Sequence, residues 1–146
     1  MKTVFALLVY LGVSVACFAD GDPVVFYAQL IRATDREGQE AGWRPIGPKL
    51  SNRLCPKFRW KNYWEVSRQT LNVQPGIKTR ARLNPEREIE IELRGEGDSE
   101  IRLFTAGKLV QKSRQSLQSK MSIIGGTREN EDSWFVVVRR DKPTID

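Results

Sequence analysis

The chain has 146 residues, with 24 Lys and Arg against 18 Asp and Glu and a formal net charge of +6, and one folded domain is the natural count at this length. It contains no His and two Cys. Imidazole-activated nucleophiles, His-based zinc sites and thiolate metal clusters are thereby excluded, and the sequence holds no Gly-rich phosphate loop.

Met1 to Ala19 reads as an export signal and not as part of the fold. Lys2 gives a short positive start, Val4 to Val15 is apolar, and Cys17-Phe18-Ala19 offers small residues where signal peptidase cuts. The run is short for a membrane span. Two endings compete. Ser14-Val15-Ala16-Cys17 matches a bacterial lipoprotein box except at Ser14, and in that case Cys17 becomes the lipidated first residue; the alternative is plain cleavage after Ala19. Either way Cys55 is left alone in a single domain spanning 20–146, so no internal disulfide closes it. With no His to activate it, Cys55 reads as a small buried apolar residue. The expected location is the periplasm, the extracellular space or a lipid-anchored position on the envelope.

Asp20-Gly21-Asp22 is a polar lead-in, and Pro23 opens Val24 to Thr34, a run rich in β-branched and aromatic residues that predicts a strand. Its near-continuous apolarity points to cover on both faces or to a crossing between sheets, with Tyr27, Gln29 and Arg32 on the wetter side. Asp35 to Gly47 carries Gly38, Gly42, Pro45 and Gly47 among several charges and reads as an exposed loop, either functional or loose. Pro48 to Leu54 fits a short helix, with Pro48 at its first position, Leu50 and Leu54 on one face and Pro56 beyond its end. This helix is expected to cap an open end of the core.

Lys57-Phe58-Arg59-Trp60-Lys61-Asn62-Tyr63-Trp64 mixes cations with rings. As a strand it puts Phe58 and Trp60 on one face and Lys57, Arg59 and Lys61 on the other. Two readings stand. One is a platform for a polyanion or a sugar chain, in which Lys57, Arg59, Trp60, Lys61, Tyr63 and Trp64 combine ring stacking with charge. The other is that the rings fill the core while the cations are solvated outside. The strand continues to Val73 with Trp64, Val66, Leu71 and Val73 inward, and its change of phase predicts a bulge near Arg68-Gln69. Gln74-Pro75-Gly76 then turns the chain.

Ile77 to Thr105 carries the strongest pattern. Strict alternation is broken at Asn84-Pro85-Glu86 and again at Gly95-Glu96-Gly97-Asp98, the signature of a half-buried antiparallel meander. Pairing Leu83 with Arg87 sets Ala81 against Ile89, Thr79 against Ile91 and Ile77 against Leu93, and on the other side Arg82 against Glu88, Arg80 against Glu90 and Lys78 against Glu92. Pairing Arg94 with Glu100 next sets Leu93 against Ile101, Ile91 against Leu103 and Glu92 against Arg102. A slip of one residue would bury every Glu. The aliphatic side requires a second layer to cover it.

Ala106-Gly107 is a tight turn into Lys108 to Leu117, a polar strand suited to a sheet edge. Met121 to Ile124 is a short strand ending at Gly125-Gly126, a pair that relieves a bulge or admits another backbone. Glu129, Asn130, Glu131 and Asp132 are oxygen ligands without EF-hand spacing, and no metal site is assigned to them. Ser133 to Arg140 reads as a central strand buried on both sides, and Arg139-Arg140-Asp141-Lys142-Pro143 as a basic tail leaving the core.

The sum is an all-β fold: an antiparallel β-sandwich or partly closed barrel of about eight strands with one short helix, after the N-terminal signal segment. The expected function is a secreted or envelope-attached, non-enzymatic module that binds a protein or an anionic surface polymer, without a cofactor. Export argues against nucleic acid, and membrane attachment would come only through Cys17. A carboxylate-dependent hydrolase is a third reading. Its acids, Glu86 to Glu92, face cations in the register above, and carboxylates held ionised in that way make poor general acids.

Overall fold

The computed structural model describes residues 21–129 and 131–144; the expected signal segment, 1–19, and with it Cys17, lies outside them. In chain order the elements are β1 (Val24–Thr34), β2 (Arg44–Pro45), α1 (Pro48–Leu54), β3 (Asn62–Val73), β4 (Thr79–Arg82), β5 (Arg87–Arg94), β6 (Asp98–Thr105), β7 (Lys108–Ser116), β8 (Met121–Glu129) and β9 (Asp132–Arg139). The strands form two antiparallel sheets, one ordered β2-β3-β1-β9-β8 and the other β4-β5-β6-β7. The sheets do not close into a barrel, so the architecture is a sandwich.

Strand periodicity decides what each face meets. Phe26, Ala28 and Leu30 of β1 and Val136 and Val138 of β9 point inward, against Ile89 and Ile91 of β5 and Ile101 and Leu103 of β6. The intervening residues Ile31, Ala33, Phe135 and Val137 point the other way and are covered by Leu50 and Leu54 of α1. Cover on both faces is why β1 and β9 are apolar almost without interruption. Each fully buried Ile or Leu contributes roughly 1.5–3 kcal/mol. The helix therefore lies across the outer face of the five-stranded sheet, not over an open end as expected. Pro48 sits in its first turn, and Cys55 N donates to Ser51 O at 2.9 Å where it ends.

The first hairpin of the meander has the expected register: Thr79 opposite Ile91, Arg80 opposite Glu90, Ala81 opposite Ile89 and Arg82 opposite Glu88. Asn84 Oδ1 closes its turn by accepting from Glu86 N at 3.0 Å and Arg87 N at 2.6 Å. The pairs Ile77–Leu93 and Lys78–Glu92 do not form. Ile77 N donates to Gln74 O at 3.2 Å, and this turn swings Ile77 out to 51% exposure before β4 begins. The second hairpin is displaced by two residues. Arg94 faces Asp98 and not Glu100, because Gly95–Gly97 forms a tight 3₁₀ turn with Gly97 at φ +80°. Ile91 thus faces Ile101, Leu93 faces Ser99, and Glu92 faces Glu100 where Arg102 was expected. A shift of two preserves both faces, so the aliphatic and charged sides keep their places.

Other expectations are corrected locally. The bulge in β3 falls at Val66, between the pairs Leu30–Ser67 and Ile31–Glu65, and not at Arg68-Gln69. It brings Tyr63 and Glu65 to the buried positions and leaves Trp64 and Val66 half-buried. Gln29 is not wet: it is 2% exposed and donates to Glu65 Oε2 at 2.5 Å. β8 does not end at the Gly pair but continues past it to Glu129, with the ladder irregular between Ile124 and Thr127 and Gly125 at φ +76°. A Cβ on Gly125 would approach Leu103 Cδ2 to 3.2 Å. The tail turns back instead of leaving. Arg140 N donates to Lys120 O at 3.0 Å, Arg68 Nη1 donates to Pro143 O at 3.2 Å, and Pro143 is buried against the outer face.

Candidate functional site

Charge is distributed unevenly over this frame. The exposed side of the four-stranded sheet carries a lattice of ion pairs. Arg80 reaches Glu90 at 3.1 Å and Glu88 at 3.4 Å, Arg82 reaches Glu88 at 2.9 Å, and Arg94 reaches Glu100 at 3.0 Å. Arg102 sits at the centre, 3.0 Å from Glu90, 3.3 Å from Glu92 and paired with Glu100, which Lys112 also approaches at 3.6 Å. Three cations, Arg94, Arg102 and Lys112, explain how Glu92 and Glu100 can stand directly opposite each other. Burial pushes the Glu100 carboxyl up, but the Arg94 hydrogen bond and the charges of Arg102, Arg94 and Lys112 outweigh it and hold the group below the usual carboxylate range. Every carboxylate of this lattice is matched to a cation.

The basic and aromatic segment lies on the other side of the molecule. It is not a strand: Lys57 N and Phe58 N both donate to Leu54 O, at 3.1 and 2.9 Å, so the chain leaves α1 in a turn and β3 begins only at Asn62. Phe58 packs on Phe135 with ring centroids 4.6 Å apart. Tyr63 is the buried pin: its hydroxyl donates to Phe58 O at 2.7 Å and accepts from Trp60 N at 3.4 Å. Burial raises the Tyr63 phenol pKa, only partly opposed by the backbone hydrogen bond at Trp60. The loop is tied to the end of β1, because Lys61 N donates to Asp35 Oδ1 and Asn62 Nδ2 to Arg36 O, both at 2.9 Å. Lys57, Arg59 and Lys61 remain exposed, and among the described residues their side chains meet no carboxylate. Trp60 and Trp64 are half-buried beside them and line a cleft of about 270 Å³ together with Pro45, Ile46 and Tyr63. Cys55, expected to be buried, stands exposed at the rim of this cleft with Sγ 3.3 Å from Ser51 Oγ.

A second constellation, at the end of the sandwich where β1 finishes and β9 starts, was not visible in the sequence. The Arg32 guanidinium lies between two indoles, 4.9 Å from the Trp43 ring centre and 5.4 Å from that of Trp134, and Arg87 covers Trp134 at 4.6 Å. Stacks of this kind are favourable by roughly 0.5–2 kcal/mol per contact. Arg32 is also forked onto Asp132, with Nε donating to Oδ2 at 2.8 Å and Nη2 donating to the same oxygen. Burial pushes the Asp132 carboxyl up, but the Thr34 hydroxyl and Arg32 outweigh it and lower its pKa. Its second oxygen, Oδ1, is buried without a well-formed hydrogen bond. The only local hint of this arrangement is a lone Arg inside an apolar strand, which demands a partner that the sequence places 100 positions away. A cleft of about 360 Å³ opens beside the stack, lined by Arg32, Arg36, Asn84, Asp132 and Trp134. Another of about 240 Å³ lies on the Trp43 side.

No protein-family model matches the chain, and neither a curated protein nor a solved structure matches it.

Proposed function

We propose that the protein is an exported, non-enzymatic binding module that holds an anionic polymer on Lys57, Arg59 and Lys61, with Trp60 and Trp64 as ring surfaces beside them. The observation that carries this reading is the contrast in pairing. Arg80, Arg82, Arg94 and Arg102 at the centre of the four-stranded sheet are consumed by carboxylates, whereas the side chains of these three meet none among the described residues and project from a loop pinned by Tyr63. Arg44 on β2, opposite Glu65, and Arg53 on α1 add positive charge to the same side. Such an arrangement attracts polyanions by releasing their counterions, and the rings add contact that salt does not weaken. Export follows from the leader at 1–19, with attachment to the envelope where Cys17 is lipidated. The absence of His from the sequence and the matched carboxylates favour binding over catalysis.

Retention on immobilised heparin, measured across a salt series, tests the reading. Log affinity is expected to fall linearly with log salt, and Lys57→Gln with Lys61→Gln to flatten the slope by roughly 1–2. Lys78→Gln with Lys108→Gln removes the same charge elsewhere and is expected to leave retention nearly unchanged. Equal effects of the two pairs would reduce the interaction to net charge and overturn the assignment.

A further inference from the structure

The chain has four tryptophans, Trp43, Trp60, Trp64 and Trp134, and each is half-buried instead of enclosed. All four line clefts, and the clefts share walls. Trp60 closes one side of the cleft that Trp64 lines and also borders a space of about 430 Å³ with Asp35, Arg36 and Glu131. Arg36 in turn lines both clefts that flank Arg32, the one holding Trp134 and the one holding Trp43. The continuity has a structural cause. β1 and β3 are antiparallel and their ladder ends at Thr34 opposite Asn62, so the loop carrying Arg36 abuts the loop carrying Trp60.

We propose that this track is a groove for an extended acidic polysaccharide, with sugar rings against Trp60 and Trp64 and acid groups on Arg36 and on the edge of the Arg32–Trp134 stack. It rests on the polymer-binding reading above and carries the polymer from the helix side to the end of the sandwich. Indole faces suit the C–H faces of pyranose rings, and guanidinium forks suit carboxylate or sulfate. The acids on the same track separate a sugar chain from nucleic acid. Glu86, Asp132, Glu131 and Glu40 line these clefts beside the arginines. A phosphate at every step would collide with them, whereas sugar hydroxyls donate hydrogen bonds to carboxylates.

The test is a fluorescence titration of the secreted protein, as the cell processes it, with short and long hyaluronan oligosaccharides, which carry a carboxylate on every second sugar only. Affinity is expected to rise with oligomer length, with a change in indole emission. Trp60→Ala and Arg36→Ala are each expected to weaken the long oligomer about tenfold. Arg36 is the decisive variant, because its side chain is 61% exposed and its loss leaves the core alone. If Arg36→Ala binds the long oligomer as the parent does while the Lys57, Lys61 double variant loses it, the polymer stays on the helix side: the groove is overturned and the broader reading stands. If single-stranded DNA displaces the oligomer at equal charge concentration, the sugar assignment is overturned. If no polyanion binds, both proposals fall.

Discussion

On the outer face of the four-stranded sheet, Arg102 alone touches Glu90, Glu92 and Glu100, and Arg80, Arg82 and Arg94 complete a lattice with no carboxylate left over. On the helix side, Lys57, Arg59 and Lys61 stand exposed, and among the described residues their side chains pair with no carboxylate. The difference follows from what covers each sheet. Among the described residues nothing packs over the outer face of β4 to β7, so its strands need charge to hold their register on that side, and like charges would clash in a wrong one. β1 and β9 are fixed by aliphatic contacts on both faces, under the inner core and α1. Their register needs no help from surface ions. Lys57, Arg59 and Lys61 are therefore not required by the ladder and can serve something outside it.

The largest effect is expected where the lattice converges. Arg102→Met should destabilise the protein by about 2 kcal/mol, because Glu90 and Glu92 lose a shared charged hydrogen-bond donor and Glu100 an ion-pair partner in a partly buried setting. Chemical denaturation would show a lower midpoint with an unchanged slope. A cost below about 0.5 kcal/mol would mean that the lattice is an ordinary surface decoration, and the contrast between the faces would lose its basis.

Asp141 offers a smaller effect on the other side. It joins the C-terminal strap to the five-stranded sheet through Arg139, at 2.6 and 3.1 Å, and through Lys49 at 3.2 Å. The Arg139 hydrogen bond lowers the carboxyl from 3.8 to about 2, against the opposing effect of partial burial and with help from Lys49. The folded state thus holds this proton less tightly than the unfolded chain. Its contribution is complete above about pH 4 and is lost as pH falls through about 2. Solvent screens the pair, so Asp141→Asn should cost only ~1 kcal/mol at neutral pH. The gap between parent and variant should close on acidification over that window. A gap that persists at the acid end would assign the loss to packing of the strap and not to charge.

The sequence carries the first of these faces more openly than the second, for physical reasons. Arg80, Arg82, Glu88 and Glu90 alternate with aliphatics at a period of two, which fixes faces and, across the Asn84-Pro85 turn, the register. The same period cannot detect a shift of two. Gly95 to Ser99 accommodates either a three-residue or a five-residue connection, and the tight turn at Gly97 decides between them only in three dimensions. Alternation of cations and rings from Lys57 to Lys61 imitates a strand, but two amides returning to Leu54 O hold it as a turn. Cys55 follows Leu54 by one residue, about 100° around the helix from the buried side, so it faces solvent. Beyond the lone Arg in an apolar strand, the Arg32 stack leaves no local trace, because Trp43, Arg87 and Trp134 reach it from other parts of the chain.

The smallest expected change is the sharpest test of the contrast. Lys57→Gln with Lys61→Gln should alter stability by less than about 0.5 kcal/mol, in the direction of a slight gain, since removing like charges relieves repulsion in a chain of net charge +6. Thermal unfolding in low salt measures it best, because screening at high salt would hide a small repulsive effect. Polymer retention should fall in the same variant. Binding lost with stability kept is the signature of charges held for a partner. If the double substitution instead destabilises the fold as Arg102→Met does, these lysines have structural partners after all, and the helix side differs from the lattice in geometry alone.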